Sequence, residues 1–223
     1  MHCDIIILYI NANIKKRTEF IMNTENIKII LASASPRRRE ILAQMGADFT
    51  VITADASEDS DITSPVELTQ ELARRKGQAV YDMLKASGEA DGKIIISADT
   101  VVAADGNILG KPRDRADAYR MLKLLCGRPH EVVTGIGVTV NGVTYTDHSR
   151  TLVYVEDIPD SEIWAYIDSG DPMDKAGAYG IQGAFSSWVR GIDGCYFGVV
   201  GLPQNKLSKL FYDCVGCYPK DIK

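Results

Sequence analysis

The stretch Ser33-Ala34-Ser35-Pro36-Arg37-Arg38-Arg39 gathers two hydroxyls and three guanidinium groups within seven residues. Ser35 before Pro36 has the form of a helix N-cap with proline at the first helical position. The three cations that follow stand where the helix dipole is positive and favours acids. Arg38 also falls on the apolar stripe of that helix, three and four residues ahead of Ile41 and Leu42. A cation on such a stripe costs free energy unless it snorkels or meets an anion. Backbone N–H groups at the helix start add donors. Ser33, Ser35, Arg37 and Arg38 could therefore cradle a polyphosphate. Taken alone, the same residues also suit a solvated basic turn.

Three further segments carry matching chemistry. A second helix has the stripe Leu68, Leu72, Lys76, Ala79, Val80 and Met83, so Lys76 occupies an inward position as Arg38 does. Two such cations suggest a shared anionic ligand; a lysine snorkelling at the stripe's edge is the alternative. In "IIISADTVV", Asp99 and Thr100 interrupt an apolar run. A carboxylate there must be paired, metal-bound or catalytic, and Lys111 lies beyond the Asp105-Gly106 turn, within reach of a fold-back; a turn-capping aspartate would be the ordinary explanation. In "KAGAYGIQG" (175–183), Gly177, Gly180 and Gly183 permit close backbone approach or positive φ. Gln182 offers an amide suited to a base edge. There is no GxGxxG after a strand, no P-loop lysine motif and no HExxH, and His2, His130 and His148 are scattered.

These residues need elements to place them. "IKIILAS" (27–33) reads as a buried strand leading into the arginine helix, which closes at Gly46. "FTVIT" (49–53) is a strand, followed by the acids Asp55, Glu58, Asp59 and Asp61. Ser64-Pro65-Val66-Glu67 is a capping box that opens a helix to about residue 85. Strands are expected at 93–98 and 101–104, with a turn at Asp105-Gly106 and an amphipathic helix over 113–127. Residues 130–155 form the strongest hairpin, turning at Asn141-Gly142. A short helix over 160–170, two short strands at 184–190 and 195–201, and a last helix over 204–214 complete the pattern. It describes an α/β protein: a mixed, twisted central sheet with flanking helices.

The bulk properties set limits. A chain of 223 residues with 45% hydrophobic and 25% charged residues suits one globular domain. A net charge of −5 argues against a nucleic-acid coat, which needs a basic surface. The apolar run at 5–10 is too short to span a membrane and lacks the form of a secretory signal. Residues 1–26 read as an extension, with Met22 an alternative start. The five cysteines, an odd number, read as reduced thiols in a cytoplasmic setting. The domain is expected over 27–217, with 218–223 a tail.

Taken together, "LASASPRRREIL", "SADTVV", "LGKPRD", "DKAGAYGIQG" and "VVGLP" resemble the Maf family of nucleoside triphosphate pyrophosphatases, once described as septum-formation inhibitors. The resemblance runs from about residue 27 to the last helix. It implies two lobes around a nucleotide cleft and hydrolysis between the α and β phosphates, giving a monophosphate and pyrophosphate. It implies Asp99 as general base, with Ser35, Arg37, Arg38, Lys76 and Lys111 on the triphosphate. Arg37, Thr100 and Gln182 would be linked to base choice, and Glu58 would help hold a divalent cation, Mg²⁺ or Mn²⁺. "SPRRR" with "YGIQG" is similar to the branch acting on dTTP, UTP and modified pyrimidine triphosphates. A homodimer is implied too. Ala34 and Ser97 depart from frequent glycines, Ser186 and Ser187 fall in a usually glycine-rich stretch, and Gln204 replaces a common leucine. A nucleotide-binding regulator of cell division that works by contacts rather than turnover is the alternative.

Overall fold

The structure, a computed structural model, describes residues 27–222. The expected extension at 1–26 lies outside them. Strand β1 (Lys28–Leu31) leads through Ser33 and Ser35 into α1 (Pro36–Gln44), and the chain turns at Gly46, φ 75°, into β2 (Phe49–Val51). Helix α2 (Pro65–Ala86) opens at Ser64, whose hydroxyl accepts from the Glu67 N–H. Next come β3 (Lys93–Ala104), β4 (Asn107–Leu109), α3 (Arg115–Leu125), β5 (Pro129–Val140) and β6 (Val143–Val155). The chain ends through α4 (Asp160–Asp168), β7 (Val189–Asp193), α5 (Tyr196–Val200) and α6 (Gln204–Val215). Asn141 and Gly142, both at positive φ, make the tight β5–β6 turn that strand twist favours.

The seven strands form one mixed sheet in the order β2-β1-β3-β5-β6-β7, with β4 also paired to β3. β1 runs parallel to β2 and β3, and the remaining pairs are antiparallel. One local feature governs the site. β1 stops pairing with β3 at Leu31–Ile96, and β4 begins only at Leu109–Val102. Between them residues 97–101 have no strand on that edge, while β5 pairs with them on the other.

Alternation along β3 divides the core. Ile94, Ile96 and Ala98 pack with α1 and α6 around Phe211, while Ile95 packs with Val80 and Leu84 of α2 on the opposite face. A third cluster joins α3, α4 and the far ends of β3, β5 and β6. Ile222, 4% exposed, belongs to the first cluster, so the packed domain reaches past the expected boundary at 217. Among the described residues no helix is long and apolar enough to cross a membrane.

Three local expectations need correction. Residues 93–104 form one strand rather than two, because Asp99 and Thr100 find polar partners without breaking the ladder. Residues 195–201 hold a short helix rather than a strand: the Cys195 thiol accepts from the Gly198 N–H and starts a turn. Residues 184–188 are a 3₁₀ turn, and the strand begins at Val189.

Candidate active site

The open edge of β3 is the floor of a cleft of about 820 Å³. All ten residues singled out from the sequence line it: Ser33, Ser35, Arg37, Arg38, Glu58, Lys76, Asp99, Thr100, Lys111 and Gln182. They come from the β1–α1 loop, α1, the β2–α2 loop, α2, β3, the loop after β4, and the glycine-rich loop.

Because side chains alternate, Asp99 and Thr100 leave β3 on opposite faces. Asp99, 8% exposed, meets α2: Lys76 Nζ donates to its Oδ1 at 2.6 Å. The same ammonium lies 2.7 Å from Glu58 Oε1, so one cation joins two carboxylates. That bond to Lys76, together with the fields of Lys111 and Arg38, holds the Glu58 carboxyl below its ordinary value. Lys111 is exposed on the cleft rim.

The approach of Lys76 depends on small neighbours. α2 lies close on β3 and β5, and the Ser97 hydroxyl donates to the Ala73 carbonyl at 2.7 Å. A Cβ at Gly77 would come 2.6 Å from Thr139 Oγ1 and 3.0 Å from Ser97 Oγ. One at Gly135 would lie 2.3 Å from the Thr69 backbone. Glycine at both positions is what lets the helix sit near enough for a lysine to reach Asp99.

Arg38 turns inward on the other face. Its Nε donates to Gly201 O at 2.9 Å and its Nη2 to Thr100 Oγ1 at 3.0 Å. Its Nη1 donates to Ala98 O at 2.8 Å and Ser33 Oγ at 3.2 Å. Four of the five guanidinium N–H groups are thus held by protein acceptors. The Ala98 carbonyl lies in the unpaired stretch of β3, so Arg38 does there what a neighbouring strand would do. Burial pulls the guanidinium below its ordinary value, and Asp99 opposes that pull. The Ser33 hydroxyl oxygen accepts from both Arg38 and the Ser35 N–H. Ser35 makes no side-chain cap bond to α1.

The glycine-rich loop forms the remaining wall. Gly177 and Gly183 have positive φ, as anticipated. Gly177 and Gly180 are needed for protein packing: a Cβ would meet Val102 at the first and Lys175 Cε, 2.8 Å away, at the second. The buried Lys175 ammonium is committed to Asp171 Oδ1 and Asp174 Oδ1, at 2.9 and 2.7 Å. Asp174 Oδ2 also lies 3.8 Å from Arg37. Tyr179 holds His130 Nε2 at 2.7 Å, behind the wall.

Two supports were not visible in the sequence. Arg75, next to Lys76, donates to the carbonyls of Ser57 and Asp59 at 3.2 and 2.8 Å, pinning the acidic loop on both sides of Glu58. Thr134 of β5 bonds Thr100. Neither side chain stands out by type, and no local spacing signals a contact so far along the chain.

Among the described residues, no three His, Cys, Asp or Glu side chains gather as a metal site. The donor set nevertheless fits Mg²⁺ delivered with a phosphate ligand, since such ions are commonly held by one or two carboxylates plus phosphate oxygens. Glu58 and Asp99 are two such carboxylates, already sharing one cation.

The cleft thus sets four cationic side chains, Arg37, Arg38, Lys76 and Lys111, around a nearly buried carboxylate. The model of the family described as "Maf-like protein" matches residues 28–214, and the chain belongs to that family. It is 47% identical over 182 residues to the dTTP/UTP pyrophosphatase of Thermococcus onnurineus, covering 82% of this chain and 95% of the relative. To the enzyme of the same name from Acetivibrio thermocellus it is 46% identical, over 84% of this chain and 95% of the relative. To that of Bdellovibrio bacteriovorus it is 44% identical, over 81% and 97%.

Proposed function

We propose that the protein hydrolyses dTTP and UTP, and related modified pyrimidine triphosphates, to the monophosphate and pyrophosphate. The observation that carries this is the convergence of Lys76, Arg38 and Lys111 on one cleft around Asp99. The relatives' shared name supports the substrate class.

In this mechanism Asp99 takes the proton of a water attacking the phosphate chain. Lys76 holds the carboxylate in position and offsets charge on the phosphates as it develops. Ser35, Arg37 and Lys111 grip the triphosphate. Both lone pairs of Ser33 are engaged, so its hydroxyl hydrogen is available to a phosphate oxygen. Arg38 adds its charge and its one uncommitted N–H. Gln182 presents its amide to the base, with Arg37 and Thr100 shaping that choice. Glu58, with Asp99, would hold a divalent cation, which neutralises phosphate charge when bound. The setting is the cytoplasm and the assembly a homodimer, the latter to be read by light scattering.

A panel of nucleoside triphosphates with Mg²⁺ tests the activity by pyrophosphate release. dTTP and UTP are expected to lead by kcat/KM. Release from neither would refute the reading.

A further inference from the structure

Thr134 lies on β5 with no exposed surface, opposite Thr100 in the sheet register. Its hydroxyl donates to the Gly198 carbonyl at 2.8 Å. It also lies 2.8 Å from Thr100 Oγ1. A hydroxyl has one hydrogen to give. Thr134 has given its own to Gly198, so in the bond between the two threonines Thr100 is the donor. The Thr100 oxygen in turn accepts from Arg38 Nη2 at 3.0 Å. Every proton in the sequence Arg38 → Thr100 → Thr134 → Gly198 therefore has an assigned direction.

The chain of bonds closes on itself. Arg38 Nε donates to Gly201 O, three residues beyond Gly198 at the end of α5. Gly201 has φ 122°, which favours glycine, and a Cβ there would lie 3.4 Å from both Arg38 Nε and Thr100 Oγ1. Arg38 also takes the Ala98 carbonyl. The ring thus grips residues 98 and 100, on either side of Asp99, along the stretch of β3 that has no strand beside it.

We propose that Thr134 is a positioning residue for the reaction. It fixes the Thr100 hydroxyl so that its oxygen faces Arg38, and through that pair it holds the Asp99 segment rigid at the open sheet edge. Thr100, with its only hydrogen committed, acts on the substrate through this geometry and not by donating to the base. The inference rests on the proposed role of Asp99.

The test compares Thr134→Val, which keeps the shape and removes the hydroxyl, with Thr134→Ser, which keeps the hydroxyl. Steady-state rates on dTTP and UTP and thermal melts are measured for both, beside Asp99→Asn. Thr134→Val is expected to lower kcat roughly 10–100-fold, the scale of a small misplacement in an active site, with KM within about threefold. Thr134→Ser is expected within about threefold of the native kcat. Native kcat in Thr134→Val, or equal loss in the two variants, would overturn the inference. Full turnover by Asp99→Asn would instead overturn the reading on which it stands.

Discussion

Gly77→Ala tests whether close helix–sheet packing positions Lys76. A methyl there meets Thr139 Oγ1 at 2.6 Å and Ser97 Oγ at 3.0 Å. Both oxygens are engaged, Thr139 with Thr144 at 2.8 Å and Ser97 with the Ala73 carbonyl at 2.7 Å. Alanine is better than glycine in a helix by about 1 kcal/mol. Against that, overpacking typically costs about 1–3 kcal/mol, and each disturbed hydrogen bond about 0.5–1.5 kcal/mol. With both bonds disturbed, the net expectation is a loss of roughly 1–5 kcal/mol, or about 2–20 °C in Tm for a domain of this size. Because Lys76 precedes Gly77, a helix displaced by a few tenths of an ångström also lengthens the Lys76–Asp99 contact, so kcat on dTTP should fall with Tm. Calorimetry and pyrophosphate release read the two effects. Thr139→Ala removes the nearer colliding atom, and in that background Gly77→Ala should cost about 1 kcal/mol less. A Gly77→Ala protein with native Tm and native kcat, or an identical cost in both backgrounds, would refute the packing argument.

Burial pulls the His130 imidazole down to about 4, from about 6.5 when unfolded. The unfolded chain then binds the extra proton first, so stability should fall as pH drops from 6.5 through 4, by about 3 kcal/mol; in melts across that range, His130→Gln should flatten the decline. Glu58, with its pKa lowered by Lys76, acts in a separate window: its contribution is present above its ordinary value and is lost as pH falls through the lower folded one. Arg75→Ala frees the carbonyls of Ser57 and Asp59, so Glu58 should lose its hold on Lys76. Titrating Mg²⁺ at fixed dTTP should show a several-fold higher requirement with nearly native Tm, and an unchanged requirement would count against the pinned loop.

The elements with caps and turns were legible because their signals are local. Ser64 with Pro65, Gly46, Asp105-Gly106 and Asn141-Gly142 each fix the chain within a few residues. One misread segment is decided by distant partners, another by a local cap of unusual type. Asp99-Thr100 looked like a break in a strand because its partners, Lys76 and Arg38, lie 23 and 62 residues away along the chain. The run 195–201 is too short for periodicity to separate helix from strand, and a thiol cap decided it. The site was legible as a set of charges out of place: Arg38 and Lys76 on apolar stripes, Asp99 within an apolar run. What each charge touches was not legible. Arg38 spends most of its donors on the protein, a division that depends on where β1 stops and β4 begins.

The most direct measurement is single-turnover pyrophosphate release from dTTP by Asp99→Asn, paired with dTTP binding by calorimetry. If this carboxylate accepts the proton of the attacking water, the rate falls about 10²–10⁴-fold while dTTP still binds. Release at the native rate would mean that the water is activated elsewhere, and the account of this cleft would be wrong at its centre.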